Sequence, residues 1–382
     1  MHAAGVIARD RRGRLALQEV DGPTLHLSQR PFSLDSPFRV ASVSKMITAW
    51  GFMRLARARR LDLDGDVGAW LGAPLRHPAF PDVAITPRML LAHTSGLRNG
   101  EDLPVAFGNG LMARLDAARA EPGYGGWFAA STETPGRYFA YSDTNFAIIA
   151  MIMENVTGVR FDIYMRETLF APLGLDIGYN WSGVSQAKRD AAAPGARRFD
   201  GPWVTQVDAE PPPAPDIALY RAPDAAVHPV EAYRLGDNGF AFAPHGGLRL
   251  SLRDMDALAQ YFSRGGDNAR LLRAMVAPTW TLNAAQSNGA TEKGFYARYG
   301  LGVQRPGAGA RDHFFGDRSS DWHGHCGDAY GWMTGLYWNA RDGRTIVYAV
   351  NGMPETARPP AVRSALSAPE EALIDLGLAH AS

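Results

Sequence analysis

The sequence predicts an α/β (α+β) protein in which an antiparallel sheet, built from the two ends of the chain and flanked by helices, carries an inserted, mainly helical lobe. Three observations carry this reading. Short apolar stretches at 4–9 and 14–20 flank Arg11-Arg12-Gly13 and read as a β-hairpin. Strand-like runs return only near the far end, at Thr334 to Trp338 and Thr345 to Val350. Between 61 and 180 the pattern is one of helices separated by turn-rich loops. The simplest assembly pairs the hairpin with the late strands, making one lobe from 1–60 and 237–382 and the other from 61–236.

Taken in order, the first helix starts after Ser42: Val43, Met46, Ile47, Trp50 and Met53 recur at helical spacing, which sets Ser42 at the N-terminal end of a helix buried on that face. Thr86-Pro87 opens a short helix from Arg88 to Ala92, and Thr144 to Val156 reads as a strong one. Residues 183–236 are rich in Ala, Pro and Arg with weak periodicity, and Pro211-Pro212-Pro213 rules out regular structure there, so a long surface excursion is expected. A helix from Leu252 to Phe262 precedes the late strands, and a C-terminal helix follows Pro360. The Ser42 helix and the C-terminal helix are expected to flank the sheet, with a substrate cleft between the lobes.

Composition narrows the function. Thirty-nine basic residues balance thirty-nine acidic ones without a basic stripe, which excludes nucleic acid and an anionic membrane surface as evident partners and leaves a small molecule or short peptide. The longest apolar run, Phe146 to Met153, is too short to span a bilayer, and the N-terminus has no basic head before a long apolar stretch. A chain that is neither exported nor membrane-inserted is expected, cytoplasmic as it stands and periplasmic had an export signal been trimmed from it. The single cysteine, Cys326, fits a reducing compartment without excluding an oxidising one.

Ser42-Val43-Ser44-Lys45 sets a hydroxyl and an amine on one helix face. Burial and the positive end of the helix dipole disfavour an ammonium there, so Lys45 can take the serine proton. The chain has only three lysines (Lys45, Lys188 and Lys293) among many arginines, and arginine cannot give up its proton. Eighteen serines and three lysines in 382 positions give about 0.14 chance pairs at this spacing, so the pair alone is weak evidence. Ser185-Gln186-Ala187-Lys188 has the same spacing in a polar stretch and reads as structural. His323, His325 and Cys326 are zinc-ligating types, but neighbours on a strand point to opposite faces, so no metal and no cofactor is expected. Asp62-Leu63-Asp64-Gly65-Asp66 lacks the Gly position and closing Glu of a calcium loop and reads as an exposed turn.

The segment Phe38-Arg39-Val40-Ala41-Ser42-Val43-Ser44-Lys45 resembles the nucleophile segment of the class C β-lactamase, penicillin-binding-protein and serine-esterase superfamily. Further segments agree in order: Thr86 to Leu97, with His93-Thr94-Ser95-Gly96; Tyr138 to Asn145, similar to a Tyr-x-Asn element; Gly246-Gly247-Leu248; and His323-Gly324-His325-Cys326-Gly327, at the place of a Lys/His-x-Gly strand. The resemblance covers roughly 5–355. It implies a β-lactamase/DD-peptidase-like fold, Ser42 as acylated nucleophile, Lys45 as its proton partner, and Tyr141 as the phenol passing the proton to the leaving group. Tyr141 beside two cationic groups is expected to have a lowered pKa. His325 and Gly327 would wall the site, and the N–H groups of Ser42 and Asp328 would form an oxyanion hole. The plainer alternatives are a packing tyrosine at 141 and, for His325, hydrogen bonding within the sheet.

The chain also departs from that pattern. Asp143 stands where many members have Asn, and a carboxylate does not donate to an acyl side chain unless protonated. Cys326 and Asp328 stand near positions where members that hold a substrate carboxylate carry hydroxyls. These changes favour an esterase or D-aminopeptidase-like amidase over a β-lactamase or DD-carboxypeptidase, with Asp143 and Asp328 as partners for a substrate amine. The alternative from another class is a binding or regulatory member of the fold, and retention of Ser42, Lys45 and Tyr141 argues against it.

Overall fold

The two ends of the chain meet in one sheet. The computed structural model describes residues 2–22, 31–101, 110–198, 201–206, 233–283, 285, 287–354 and 359–382. In chain order the elements are β1 (Ala3–Arg9), β2 (Leu15–Asp21), β3 (Phe38–Arg39), α1 (Val43–Arg59), α2 (Gly68–Leu71), α3 (Pro87–Leu91), α4 (Leu111–Ala118), α5 (Thr144–Thr157), α6 (Phe161–Met165), α7 (Gln186–Asp190), β4 (Gly195–Arg197), β5 (Val204–Gln206), β6 (Arg249–Leu250), α8 (Leu252–Ser263), α9 (Ala269–Val276), β7 (Trp280–Thr281), β8 (Arg298–Tyr299), β9 (Trp322–Ala329), β10 (Trp332–Asn339), β11 (Thr345–Asn351) and α10 (Ala368–His380).

Among the described residues, five strands form an antiparallel sheet in the order β2-β1-β11-β10-β9. β1 lies against β11 from Ala3↔Asn351 to Arg9↔Thr345, joining the hairpin to the late strands. Both faces are covered. Val6 and Ala8 pack with Ile346, Tyr348 and Ile374 of α10, while Ile7 joins Val347, Leu252 and Leu258 on the α8 side. That is why β1 reads as a continuous apolar run rather than an alternating one. Gly5 permits the close approach of α8, since a Cβ there would lie 2.5 Å from Leu252 Cδ1.

α1 crosses beside β9 and β10 and against α5. Residues 43–53 of α1 are all buried, polar Ser44, Lys45 and Thr48 included. The single buried face expected from periodicity is therefore too narrow: sheet and helical lobe enclose the helix on all sides. α5 is also a core helix, buried from Thr144 to Glu154. Thr86 caps α3 by accepting from Met89 N–H, with Pro87 in the first turn.

The described residues 183–198 of the 183–236 stretch are fastened to the rest of the fold. Ala193 N–H donates to Pro37 O (2.8 Å), and Ala196 N–H donates to Asn351 Oδ1 (3.1 Å), so β4 is tied to the end of the sheet. Pro211, Pro212 and Pro213 lie outside the described residues. No helix among the described residues is long and apolar enough to cross a membrane.

Candidate active site

Two helix starts converge here. Ser42 is the N-cap of α1 and Asp143 the N-cap of α5, yet neither side chain caps its own helix. Both residue types are good caps, and both side chains instead turn to Lys45. Asn99 takes over at α5, where its Oδ1 accepts from Asp143 N–H (2.8 Å) and the Ser142 hydroxyl (3.1 Å). Ala41, just before Ser42, has φ 47°, a left-handed conformation that a non-glycine residue holds only under constraint from its surroundings.

The Lys45 side chain is 1% exposed, and its Nζ donates in three directions: to Asp143 Oδ1 at 2.6 Å, His245 O at 2.9 Å and Ser42 Oγ at 3.0 Å. Burial lowers the Lys45 pKa, with the Asp143 carboxylate as the main opposing influence. For Asp143, burial alone would push the pKa up, but the Lys45 charge and hydrogen bond outweigh it and hold the carboxyl down at about 2.

Tyr141 lies against this amine, with Lys45 Nζ 4.7 Å from the ring centroid. Its ring stacks on Tyr296 (5.2 Å between centroids) and lies 4.4 Å from His93. The expected lowering of its pKa does not occur. Burial, aided by Tyr296, Tyr299 and Asp143, raises the phenol well above its ordinary value, and nearby Ser42 only partly offsets this. Ser42 acts on the phenol without a well-formed hydrogen bond, because the buried Tyr141 hydroxyl has no such partner among the described residues. His325, whose ring centroid is 6.1 Å from that of Tyr141, adds no positive charge there, because burial pushes it down to about 3 and leaves it neutral.

β9 is the edge strand alongside. A Cβ on Gly327 would lie 2.3 Å from Val40 O and 2.9 Å from Ser42 N, so the strand runs against the backbone of residues 40–42. Gly324 exchanges both backbone hydrogen bonds with Gln304, outside the β9–β10 pair. By the alternation of an antiparallel ladder, the N–H groups of Cys326 and Asp328 also point away from β10. The same parity sends the Asp328 side chain to the face of Cys326, near Tyr348 and Glu370. Asp143 and Asp328 therefore do not form the pair of cleft carboxylates expected from the sequence. His325 is fully buried: its Nδ1–H donates to Cys326 O and its Nε2 accepts from Tyr299 O–H at 2.8 Å. Both ring nitrogens are engaged within the fold, in a layer behind Tyr141, so His325 is not open to substrate.

Sequence reasoning assigned no role to His93, Asn99, Asn145 or His245. His93 Nδ1 accepts from Ser142 N–H (3.1 Å) and Asn145 Nδ2 (3.2 Å), and Ser95 Oγ donates to Asn145 Oδ1 (2.5 Å). The 93–99 loop thus scaffolds Tyr141 and Asp143. His93 and Asn145 stood in the quoted motifs, whereas Asn99 lies two residues beyond the first of them and His245 contributes a carbonyl, which no side-chain pattern announces. Ser185 caps α7 and Lys188 pairs with Asp254 at 2.8 Å, a structural use of the repeated spacing. His323 and His325 sit on one face of β9 and Cys326 on the other, and among the described residues no three His, Cys, Asp or Glu are grouped to hold a metal ion.

A buried Ser-Lys pair thus lies at the start of a core helix, beside the edge of the sheet. The chain belongs to the β-lactamase family, whose profile, described as Beta-lactamase, matches residues 6–368. It is 34% identical over 141 residues to penicillin-binding protein 4 of Amycolatopsis lactamdurans, covering 37% of this chain and 35% of that protein. It is 36% identical over 98 residues to esterase EstB of Burkholderia gladioli, covering 25% and 24%. With the D-aminopeptidase of Brucella anthropi it shares 29% over 183 residues, covering 45% and 31%. The chain thus spans about a third or less of the length of these curated relatives. Among solved structures, an octameric penicillin-binding protein homologue from Pyrococcus abyssi shares the fold, with a TM-score of 0.69 at 18% identity over 99% of this chain and 73% of that one.

Proposed function

We propose that this chain forms an acyl-enzyme on Ser42 and hydrolyses small esters or amides, as an esterase or D-aminopeptidase-like amidase. The observation that carries the reading is the 3.0 Å contact between buried Lys45 Nζ and Ser42 Oγ. As a neutral amine, Lys45 takes the Ser42 proton while Oγ attacks the substrate carbonyl. The Oγ–C bond forms, the carbonyl π pair moves onto oxygen, and the N–H groups of Ser42 and Asp328 receive that charge. Tyr141, lying on the amine, relays the proton to the departing alkoxide or amine as the C–O or C–N bond breaks. Its raised pKa suits a donor that keeps its proton at neutral pH. A water molecule then attacks the acyl-enzyme, returns a proton by the same route, and releases the acid with Ser42 restored.

The esterase and the D-aminopeptidase among the relatives support screening esters and D-amino-acid amides first. Asp143 Oδ1 already accepts an N–H of Lys45 in either form of the amine, which favours neutral acyl compounds over those that need Asp143 to hold an amine. Where members that hold a substrate carboxylate have hydroxyls, this chain has Cys326 and Asp328, whose side chains turn to the α10 face and give the cleft no hydroxyl donor, which disfavours β-lactams and D-Ala-D-Ala peptides.

The test is intact-protein mass spectrometry after exposure to a fluorophosphonate, run beside p-nitrophenyl acetate turnover, on wild type and Ser42→Ala. Adduct and turnover are expected in the wild type and lost together in the variant. An unlabelled wild type, or an adduct that persists without Ser42, would overturn the reading in favour of a binding protein or another nucleophile.

A further inference from the structure

Lys45 Nζ has one bond to its own chain and three remaining directions, and the structure fills all three. Asp143 Oδ1 at 2.6 Å and His245 O at 2.9 Å act only as acceptors, so each fixes one N–H of the lysine. The third direction is aimed at Ser42 Oγ at 3.0 Å. In the amine that direction holds the lone pair, which receives the serine proton. In the ammonium it holds a third N–H, which donates to Oγ and blocks deprotonation. The position of Lys45 is thus the same in both forms, and what changes is whether it acts as a base.

We propose that Asp143 is a positioning residue that also sets the charge of Lys45, so that acyl transfer from Ser42 switches on as rising pH converts a carboxylate-held ammonium into an amine. This rests on the reading of Lys45 as the base, and it gives Asp143 a role other than recognising substrate. An asparagine at 143 would keep an acceptor oxygen for the lysine but carry no charge. The side chain of Asp143 is 27% exposed, so its charge is only partly screened.

The other titratable or charged groups facing the pair do not replace it. His93 in the loop after α3, His245 before β6 and His325 on β9 are all pushed down by burial and are neutral. Tyr141 before α5, Tyr296 and Tyr299 at β8, and Cys326 on β9 are all pushed up by burial and keep their protons. Arg39 on β3, the remaining cation, acts on His245. Asp143 is therefore the anion that acts on Lys45 at neutral pH.

Asp143→Asn separates the charge from the geometry. Removing an adjacent opposite charge lowers a lysine pKa by about one to three pH units. The acid limb of kcat/KM is expected to move down by that amount, leaving the variant about 10- to 1000-fold faster than wild type at pH values well below the wild-type limb. A direct readout needs no turnover. With three lysines in the chain, uniform 15N-lysine labelling gives three Nζ signals, and Lys188→Arg and Lys293→Arg assign Lys45 by elimination. The Lys45 midpoint is expected to fall with the kinetic limb in Asp143→Asn and also in Asp143→Ala, which guards against poor folding of either variant. A Lys45 midpoint that stays or rises in a folded variant overturns the proposal. So does a KM increase confined to amine-bearing substrates with the acid limb unmoved. If Ser42 proves not to be acylated, the nitrogen titration still decides whether Asp143 sets the charge of Lys45.

Discussion

Adding one methyl group at Gly327 tests whether β9 and the 40–42 segment, which carries the proposed nucleophile, are in rigid contact. A Cβ at this position would lie 2.3 Å from Val40 O, 2.7 Å from Thr334 Oγ1 and 2.9 Å from Ser42 N. Two of these atoms are backbone and cannot rotate aside, so β9 and the 40–42 segment must part by about 1 Å to reach ordinary contact. Thr334 adds to the constraint, because its hydroxyl donates to Val40 O at 2.9 Å across the same gap. Ala41 at φ 47° leaves the segment little room to adjust. Displacement of a reacting group by about 1 Å costs about 100-fold in rate, whereas overpacking costs about 1–3 kcal/mol of stability. Gly327→Ala is therefore expected to lower kcat/KM for p-nitrophenyl acetate about 100-fold, mainly through kcat. Its circular dichroism spectrum should be unchanged and its thermal midpoint lower by a few degrees. The assay is initial-rate spectrophotometry beside a thermal melt. A variant within about threefold of wild type would refute the reasoning, because a fixed contact cannot absorb such a displacement without loss.

Burial pushes His245 and His323 down to about 4 from an ordinary 6.5. The unfolded chain binds these protons from about pH 6.5 downward while the folded chain stays neutral. The stability they contribute is therefore fully present above 6.5 and is lost as pH falls toward 4, up to about 3 kcal/mol for each. Melts recorded from pH 7 to 4.5 should show a falling midpoint, and a flat one would contradict the burial argument. His93→Phe keeps a ring against Tyr141 but removes the acceptor for Ser142 N–H and Asn145 Nδ2. Two stranded donors cost about 1–3 kcal/mol each, so a lower melting temperature and a reduced kcat with little change in KM are expected. Wild-type values in both would show that the 141–145 segment is held without it.

The sequence by itself determined the local geometry and the pairing of the chain's ends. Ser42 and Lys45 are one helical turn apart, so a helix starting at Val43 brings hydroxyl and amine together whatever surrounds them. The hairpin and the late strands were legible as apolar runs, and an antiparallel sheet is the simplest way to pair them. Even the face taken by Asp328 follows from strand parity, by the same rule that separates Cys326 from His323 and His325. Tertiary structure decided the rest, because each remaining feature depends on groups distant in sequence. Only packing of α5 against α1 brings Asp143 to 2.6 Å from Lys45, and only the loop before β6 supplies the His245 carbonyl. The direction in which Tyr141 titrates is likewise a property of its surroundings. Desolvation scales with how completely neighbours exclude water, and three aromatic rings from other segments enclose that phenol more than any cation relieves it.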